Sequence, residues 1–175
     1  MKTPIYISAL ILFCSGPTAQ AQDYLLSASS MLDTITGKLV ADPQLLVKDG
    51  KIVAIGKIGD LQGAQGVQKI HLEGQTLLPG FMDMHVHLSS AGEGISFLES
   101  RLQSVPRRTV NAVANANTTL KAGFTSVRNV GAADYTVIAV RDAVNAGDVL
   151  GPRIWATGPS LGITGGHCDD NYSPP

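Results

Sequence analysis

His85-Val86-His87 sets two imidazoles one residue apart, inside the run Pro79-Gly80-Phe81-Met82-Asp83-Met84-His85-Val86-His87-Leu88. In a β-strand side chains alternate between faces with period two, so Asp83, His85 and His87 share one face and Met82, Met84, Val86 and Leu88 share the other. The first face can hold a metal ion. Neutral imidazole binds zinc at about 2.0–2.1 Å, and a catalytic zinc keeps one of its four positions open for water or substrate. Two histidines supply half of such a site, and a bare His-x-His also arises by chance. The Pro-Gly entry, the apolar opposite face and Asp83 just beneath strengthen the metal reading, with Asp83 supporting the strand and its histidines rather than binding the ion. His71 stands apart and reads as a strand-surface histidine.

Around this run the chain changes character. From Tyr24 to Leu78 it reads as short strands separated by turns, with Val, Ile and Leu clusters bounded by Gly, Asp and Pro. Asp49-Gly50 predicts a hairpin with a type I′ turn, pairing Val47 with Ile52 and Leu46 with Val53, apolar on both faces and covered on both as in a sandwich. From Leu77 onward the order becomes strand, helix, strand, helix, strand, the pattern of parallel α/β packing. A loop containing Gly92 and Gly94 and a helical turn over Ile95 to Leu102 follow the histidine strand. Pro106 then opens a helix, with Val110, Val113, Asn117 and Leu120 at near-helical spacing, Ala112, Ala114 and Ala116 between them, and Gly123 at the C-terminal cap. Phe124 to Val130 is the second strand. Ala133 to Ala146 is the second helix, with Val137, Val140 and Val144 on one stripe and Gly147 past its end. Arg153 to Thr157 is the third strand, and Ser160 to Pro175 reads as an irregular loop. Arg107 and Arg108 lie in a first helical turn, where cations oppose the helix dipole, and read as solvated.

The composition is that of an ordinary globular protein: 175 residues, 44% hydrophobic, 15% charged, net charge −1. Scattered Lys and Arg and few aromatic residues argue against nucleic acid as a partner. Lys2, the apolar run Ile5 to Phe13 and Ala19-Gln20-Ala21 predict a secretory signal over residues 1–21, hence an exported protein, periplasmic or secreted. The run is shorter than the roughly 20 residues of a membrane-spanning helix, so no stable membrane span is expected. A permanent anchor, or lipidation at Cys14 behind a bulky Phe13, is the weaker alternative. Removal of that segment leaves only Cys168, which rules out an intramolecular disulfide in the mature segment.

The stretch Leu78 to Leu88 resembles the first barrel strand of the metal-dependent amidohydrolase superfamily, and Lys48-Asp49-Gly50-Lys51-Ile52 resembles the hairpin in its small β-sandwich. Ala122-Gly123-Phe124-Thr125-Ser126-Val127-Arg128-Asn129-Val130-Gly131, Gly151-Pro152-Arg153 and Thr164-Gly165-Gly166-His167 are similar to the branch of imidazolonepropionase-like proteins and Xaa-Pro-type dipeptidases. The resemblance implies an α/β fold: an incomplete TIM (β/α)8 barrel over residues 79–175, preceded by part of a small β-sandwich over 22–78. It implies His85 and His87 as the first two ligands of one or two divalent ions, zinc first among them. Later strands of the family supply a lysine, two histidines and an aspartate, and none of those roles is assigned here. His167, on the glycine-rich loop after strand three, either contacts substrate, such as a terminal carboxylate, or simply hydrogen-bonds its own loop. Cys168 stands where the family usually has glycine, which puts the loop's shape and substrate preference in question. Arg128 either points into the site or makes a structural ion pair with an acidic neighbour, the structural role being favoured.

The resemblance further implies a hydrolase of amide or peptide bonds, dipeptidase-like, acting on a small-molecule substrate. The rivals are a cyclic-amide hydrolase similar to imidazolonepropionase, and a non-catalytic secreted module that keeps the fold's opening portion. A parallel barrel takes about 250 residues, and only three strand candidates follow Leu77, so the chain is expected to be a fragment that is inactive alone.

Overall fold

The computed structural model describes residues 22–62, 66–92, 94–95, 99, 102–132, 134–164, 166 and 168. The expected signal segment, His167 and most of the expected turn over Ile95 to Leu102 lie outside the described residues. The chain divides into two compact units between Leu78 and Pro79.

In the first unit, β1 (Tyr24–Asp33), β2 (Lys38–Ala41), β3 (Pro43–Lys48), β4 (Lys51–Lys57) and β5 (Gln68–Leu77) form one sheet. Strand β1 is its hub, antiparallel to β3 along its first half and to β2 along its second. On its other side β1 runs parallel to β5. The β3–β4 turn has positive φ at both Asp49 (48°) and Gly50 (69°), as a type I′ turn requires. Val47 pairs with Ile52 as expected, but Leu46 pairs with Ala54 rather than Val53. Val53 is the extra residue of a β-bulge, and the bulge puts Ile52 and Ile55 on the same face, opposite Val47 and Leu45. The expected cover on both faces is not present among the described residues, where Ile52 is 60% exposed and Ile55 57%. His71 lies exposed on β5, its Nδ1 2.9 Å from the Ser27 hydroxyl, a strand-surface histidine.

The second unit is a parallel three-stranded sheet in the order β6 (Phe81–Val86), β7 (Phe124–Asn129), β8 (Arg153–Ala156). Helices α1 (Val105–Lys121) and α2 (Thr136–Ala146) make the crossovers. Ser104 caps α1, its hydroxyl accepting the Arg107 N–H at 3.4 Å, and proline occupies the first turn, where its missing N–H costs nothing. Helix α2 ends at Gly147, whose left-handed φ of 81° lets its N–H return to the Val144 carbonyl.

Between sheet and helices Ala112, Ala116, Val127, Val137, Val140, Ile154 and Leu88 form a buried core, with Val113 and Val144 against it. Each fully buried valine contributes about 1.5–3 kcal/mol relative to an exposed one. The fully buried residues of α1 are Ala112 and Ala116; of the expected stripe, Val113 packs against the core while Val110 is 57% exposed. Small side chains let α1 approach its neighbours closely, so Ala112 and Ala116 are the residues that disappear from solvent. Arg107 is exposed, as expected, whereas Arg108 is half-buried.

Candidate metal-ligand pair and its supports

Strand β6 begins where Pro79-Gly80 leads the chain in close to β7. A Cβ at Gly80 would overlap the Thr125 side chain, so glycine is required there for space alone. Phe81 then packs on Phe124 with ring centroids 5.7 Å apart, and its N–H donates to the Gly123 carbonyl.

The register of β6 on β7 is not uniform. Asp83 pairs with Val127 and Val86 with Asn129, which leaves one extra residue on β6 at Met84-His85. This bulge interrupts the strict alternation assumed from sequence. Two side chains take up the backbone groups it releases. The Asp83 carboxylate accepts the His85 N–H at 3.0 Å, and Arg128 donates from Nε to the Met84 carbonyl at 2.7 Å. Arg128 is exposed and its described partner is this carbonyl, so the structural role expected for it is met, but not through an acidic neighbour. The opposite face is also less uniform than expected. Leu88 is buried and Val86 packs against the core, while Met82 is 70% exposed and Met84 47%.

His85 lies within β6, and His87 one residue past its end. Their rings meet edge to face with centroids 5.4 Å apart, so the bulge does not separate them. Both are exposed and Asp83 is half-buried. The His87 Nδ1 lies 2.9 Å from the Gly131 carbonyl oxygen. A carbonyl only accepts, so Nδ1 must carry the proton, and the neutral ring keeps its lone pair on Nε2. Histidines that bind metal are held in this way, the far nitrogen donating to a backbone carbonyl or carboxylate.

Two asparagines that sequence reasoning passed over hold the backbone around His87. The buried Asn129, at the end of β7, accepts the Leu88 N–H on Oδ1 at 2.7 Å and donates from Nδ2 to the Gly131 carbonyl at 2.9 Å. Asn115, on α1, donates from Nδ2 to the carbonyls of Leu88 at 2.7 Å and Ser90 at 3.0 Å. The available signal was chemical. Asparagine is a poor helix and strand former, so Asn115 inside a helix and Asn129 inside a strand each call for a polar partner.

The donor set fits a divalent ion as far as it goes: two imidazoles side by side, one with its tautomer fixed for Nε2 ligation. Among the described residues no group of three or more His, Cys, Asp or Glu side chains converges to complete a site. Cys168 is half-buried and free. No helix among the described residues is long and apolar enough to cross a membrane.

Known proteins resemble this chain in sequence and in fold. Imidazolonepropionase of Klebsiella pneumoniae (strain 342) is 38% identical over 102 residues, which are 58% of this chain and 20% of that protein. Adenine deaminase of Shewanella halifaxensis (strain HAW-EB4) is 39% identical over 72 residues, 41% of this chain and 12% of that protein. The chain therefore spans a fifth or less of these two curated relatives. Among solved structures, a Xaa-Pro dipeptidase with methionine bound in its active site superposes with a TM-score of 0.77 at 31% identity, over 88% of this chain and 37% of that one. The model of the amidohydrolase family matches residues 76–175. With more than half of its length matched, this chain belongs to the amidohydrolase family.

Proposed function

We propose that the chain contributes the opening strands of a TIM-barrel hydrolase that cleaves C–N bonds of the amide or peptide type, with a dipeptide as the leading substrate class. In this reading residues 22–78 belong to a small β-sandwich, the parallel sheet of β6, β7 and β8 begins the barrel, and His85 and His87 are the first two ligands of a divalent ion, zinc first among candidates. The observation that carries it is the His85–His87 pair, with the His87 Nδ1 proton committed to the Gly131 carbonyl.

A divalent ion in such a cradle supplies Lewis acidity to a carbonyl and lowers the pKa of a water. The chain's own residues do the positioning. Asp83 holds the backbone at His85, and Gly131 aims the His87 ring. His167 is proposed to contact substrate. Likeness to the Xaa-Pro dipeptidase structure over 88% of the chain supports the dipeptide reading. The identity with imidazolonepropionase favours a cyclic amide as the second reading. Lys2 and the apolar run after it support export to the periplasm or the medium, which N-terminal sequencing of the mature protein would check.

The test is a hydrolysis panel of dipeptides and cyclic amides on the zinc-loaded enzyme. Dipeptide cleavage abolished by chelation and by His85→Ala or His87→Ala is expected, and turnover of cyclic amides alone would overturn the dipeptide reading. The 175-residue chain by itself is expected to bind zinc weakly and to show no turnover. Tight stoichiometric uptake lost in His85→Ala would show instead that it makes a complete site.

A further inference from the structure

We propose that Asn129 is the positioning residue that sets the tautomer and pose of His87. Its side chain is fully buried, and each end of its amide has a partner. Oδ1 accepts the Leu88 N–H at 2.7 Å, fixing the peptide that follows His87. Nδ2 donates at 2.9 Å to the Gly131 carbonyl, the same oxygen that receives the His87 Nδ1 proton at 2.9 Å. That oxygen has two lone pairs, and the two donors occupy both. Asn129 thus grips His87 from two sides, through its backbone and through its ring.

The frame around the relay is hydrogen-bonded across all three strands. The Asn129 carbonyl accepts the Thr157 N–H at 3.2 Å and the Thr157 hydroxyl at 3.3 Å, while the Val130 N–H donates to Val86 at 3.2 Å. These bonds join the ends of β6, β7 and β8. At Gly131 a Cβ would meet the Ser160 hydroxyl, which would have to turn away, and would lie 3.7 Å from His87 Cε1, so the carbonyl reaches the ring on a closely packed segment. With the proton held on Nδ1, the His87 lone pair is on Nε2 and directed away from the relay. The consequence for metal binding rests on the reading of His87 as a ligand; the hydrogen-bond relay does not.

Aspartate at position 129 keeps the acceptor for Leu88 but puts an oxygen where Nδ2 donates, which sets acceptor against acceptor at Gly131. Ring-nitrogen NMR on the chain labelled with nitrogen-15, recorded at the alkaline end of a pH series where the ring signals no longer move, reads the outcome directly. In the unsubstituted chain His87 is expected as the Nδ1–H tautomer, and the Asn129 side-chain amide protons are expected to exchange far more slowly than those of the exposed Asn145. In Asn129→Asp, His87 should lose its exclusive Nδ1–H state, and zinc binding should weaken about 10–100-fold. An Nε2–H tautomer in the unsubstituted chain, Asn129 amide exchange as fast as that of Asn145, or an unchanged tautomer in a folded Asn129→Asp would each overturn the proposal. The first two readouts decide it even where the variant does not fold. Zinc chloride added to the unsubstituted chain separates the two ideas: the Nδ1–H tautomer with neither His85 nor His87 perturbed by zinc would sustain the relay and defeat the metal reading.

Discussion

Asp83 and Gly131 act on the histidine pair through different atoms, one accepting the His85 backbone N–H and the other the His87 ring N–H. A polar residue beside a histidine can therefore hold it without touching its ring, a distinction that residue type alone does not make. The same economy appears at Asp33, where the β1–β2 turn closes on a carboxylate. Asp33 accepts the Thr36 hydroxyl at 2.6 Å and the Ile35 N–H at 2.9 Å, and these bonds, the Thr36 hydroxyl first, hold its pKa below the ordinary aspartate value. A carboxyl whose pKa is lower in the folded chain than in the unfolded one stabilises the fold above the unfolded value, and that stabilisation is lost as pH falls through the folded value. The turn should therefore loosen only in acid below the ordinary aspartate range. Carboxyl-carbon NMR titration should place the Asp33 midpoint below the ordinary aspartate value, and Thr36→Ala should raise it; an unmoved midpoint would refute the assignment.

At the scale of elements, glycines mark the joints for two distinct reasons. Gly147 has φ of 81° with open space around the position of a Cβ, so its requirement is conformational. Gly80 has no such backbone conformation, and its requirement is the Thr125 side chain against it. Gly147→Ala should cost about 1–2 kcal/mol, the left-handed penalty, and Gly147→Asn less. Gly80→Ala should cost about 1–3 kcal/mol through overpacking, and Gly80→Asn should cost more, not less. Urea denaturation of the four variants checks both the sizes and the opposite order for asparagine. The opening of α1 and the ends of both helices were readable because Pro106, Gly123 and Gly147 have local meanings that hold in any context, whereas α2 begins at Thr136 and not at Ala133, after Asp134 with φ of 55°. Which face of α1 is buried was not readable, since Ala112 and Ala116 carry little hydrophobic signal and owe their burial to close approach. The bulges at Val53 and at Met84-His85 were likewise invisible, because a bulge is a property of two strands in register and not of either alone.

Across the whole chain, each sheet leaves apolar side chains in solvent: Ile52 and Ile55 on β4, Met82 and Met84 on β6. Exposed apolar residues brought together on one face favour association, and β4 is also an edge strand, with Lys51 and Lys57 at its ends. The chain is expected to bind a hydrophobic dye and to self-associate with rising concentration, and Ile52→Lys with Ile55→Lys should lower both. Light scattering and dye fluorescence that do not respond to the double substitution would show that this face is not responsible. By itself the sequence determined the change from short strands separated by turns to alternating strand and helix from Leu77 onward, the type I′ turn and the placing of two imidazoles at the end of one strand. Those features follow from local backbone preference and periodicity, which neighbouring residues carry. Only the tertiary structure decided that His87 donates to Gly131, that Asn115 and Asn129 hold the backbone beside it, and that Arg128 fills the carbonyl left by a bulge. Each of those bonds joins residues between 27 and 44 positions apart in the chain, a distance across which hydrogen-bond partners are chosen by packing and strand register, not by spacing.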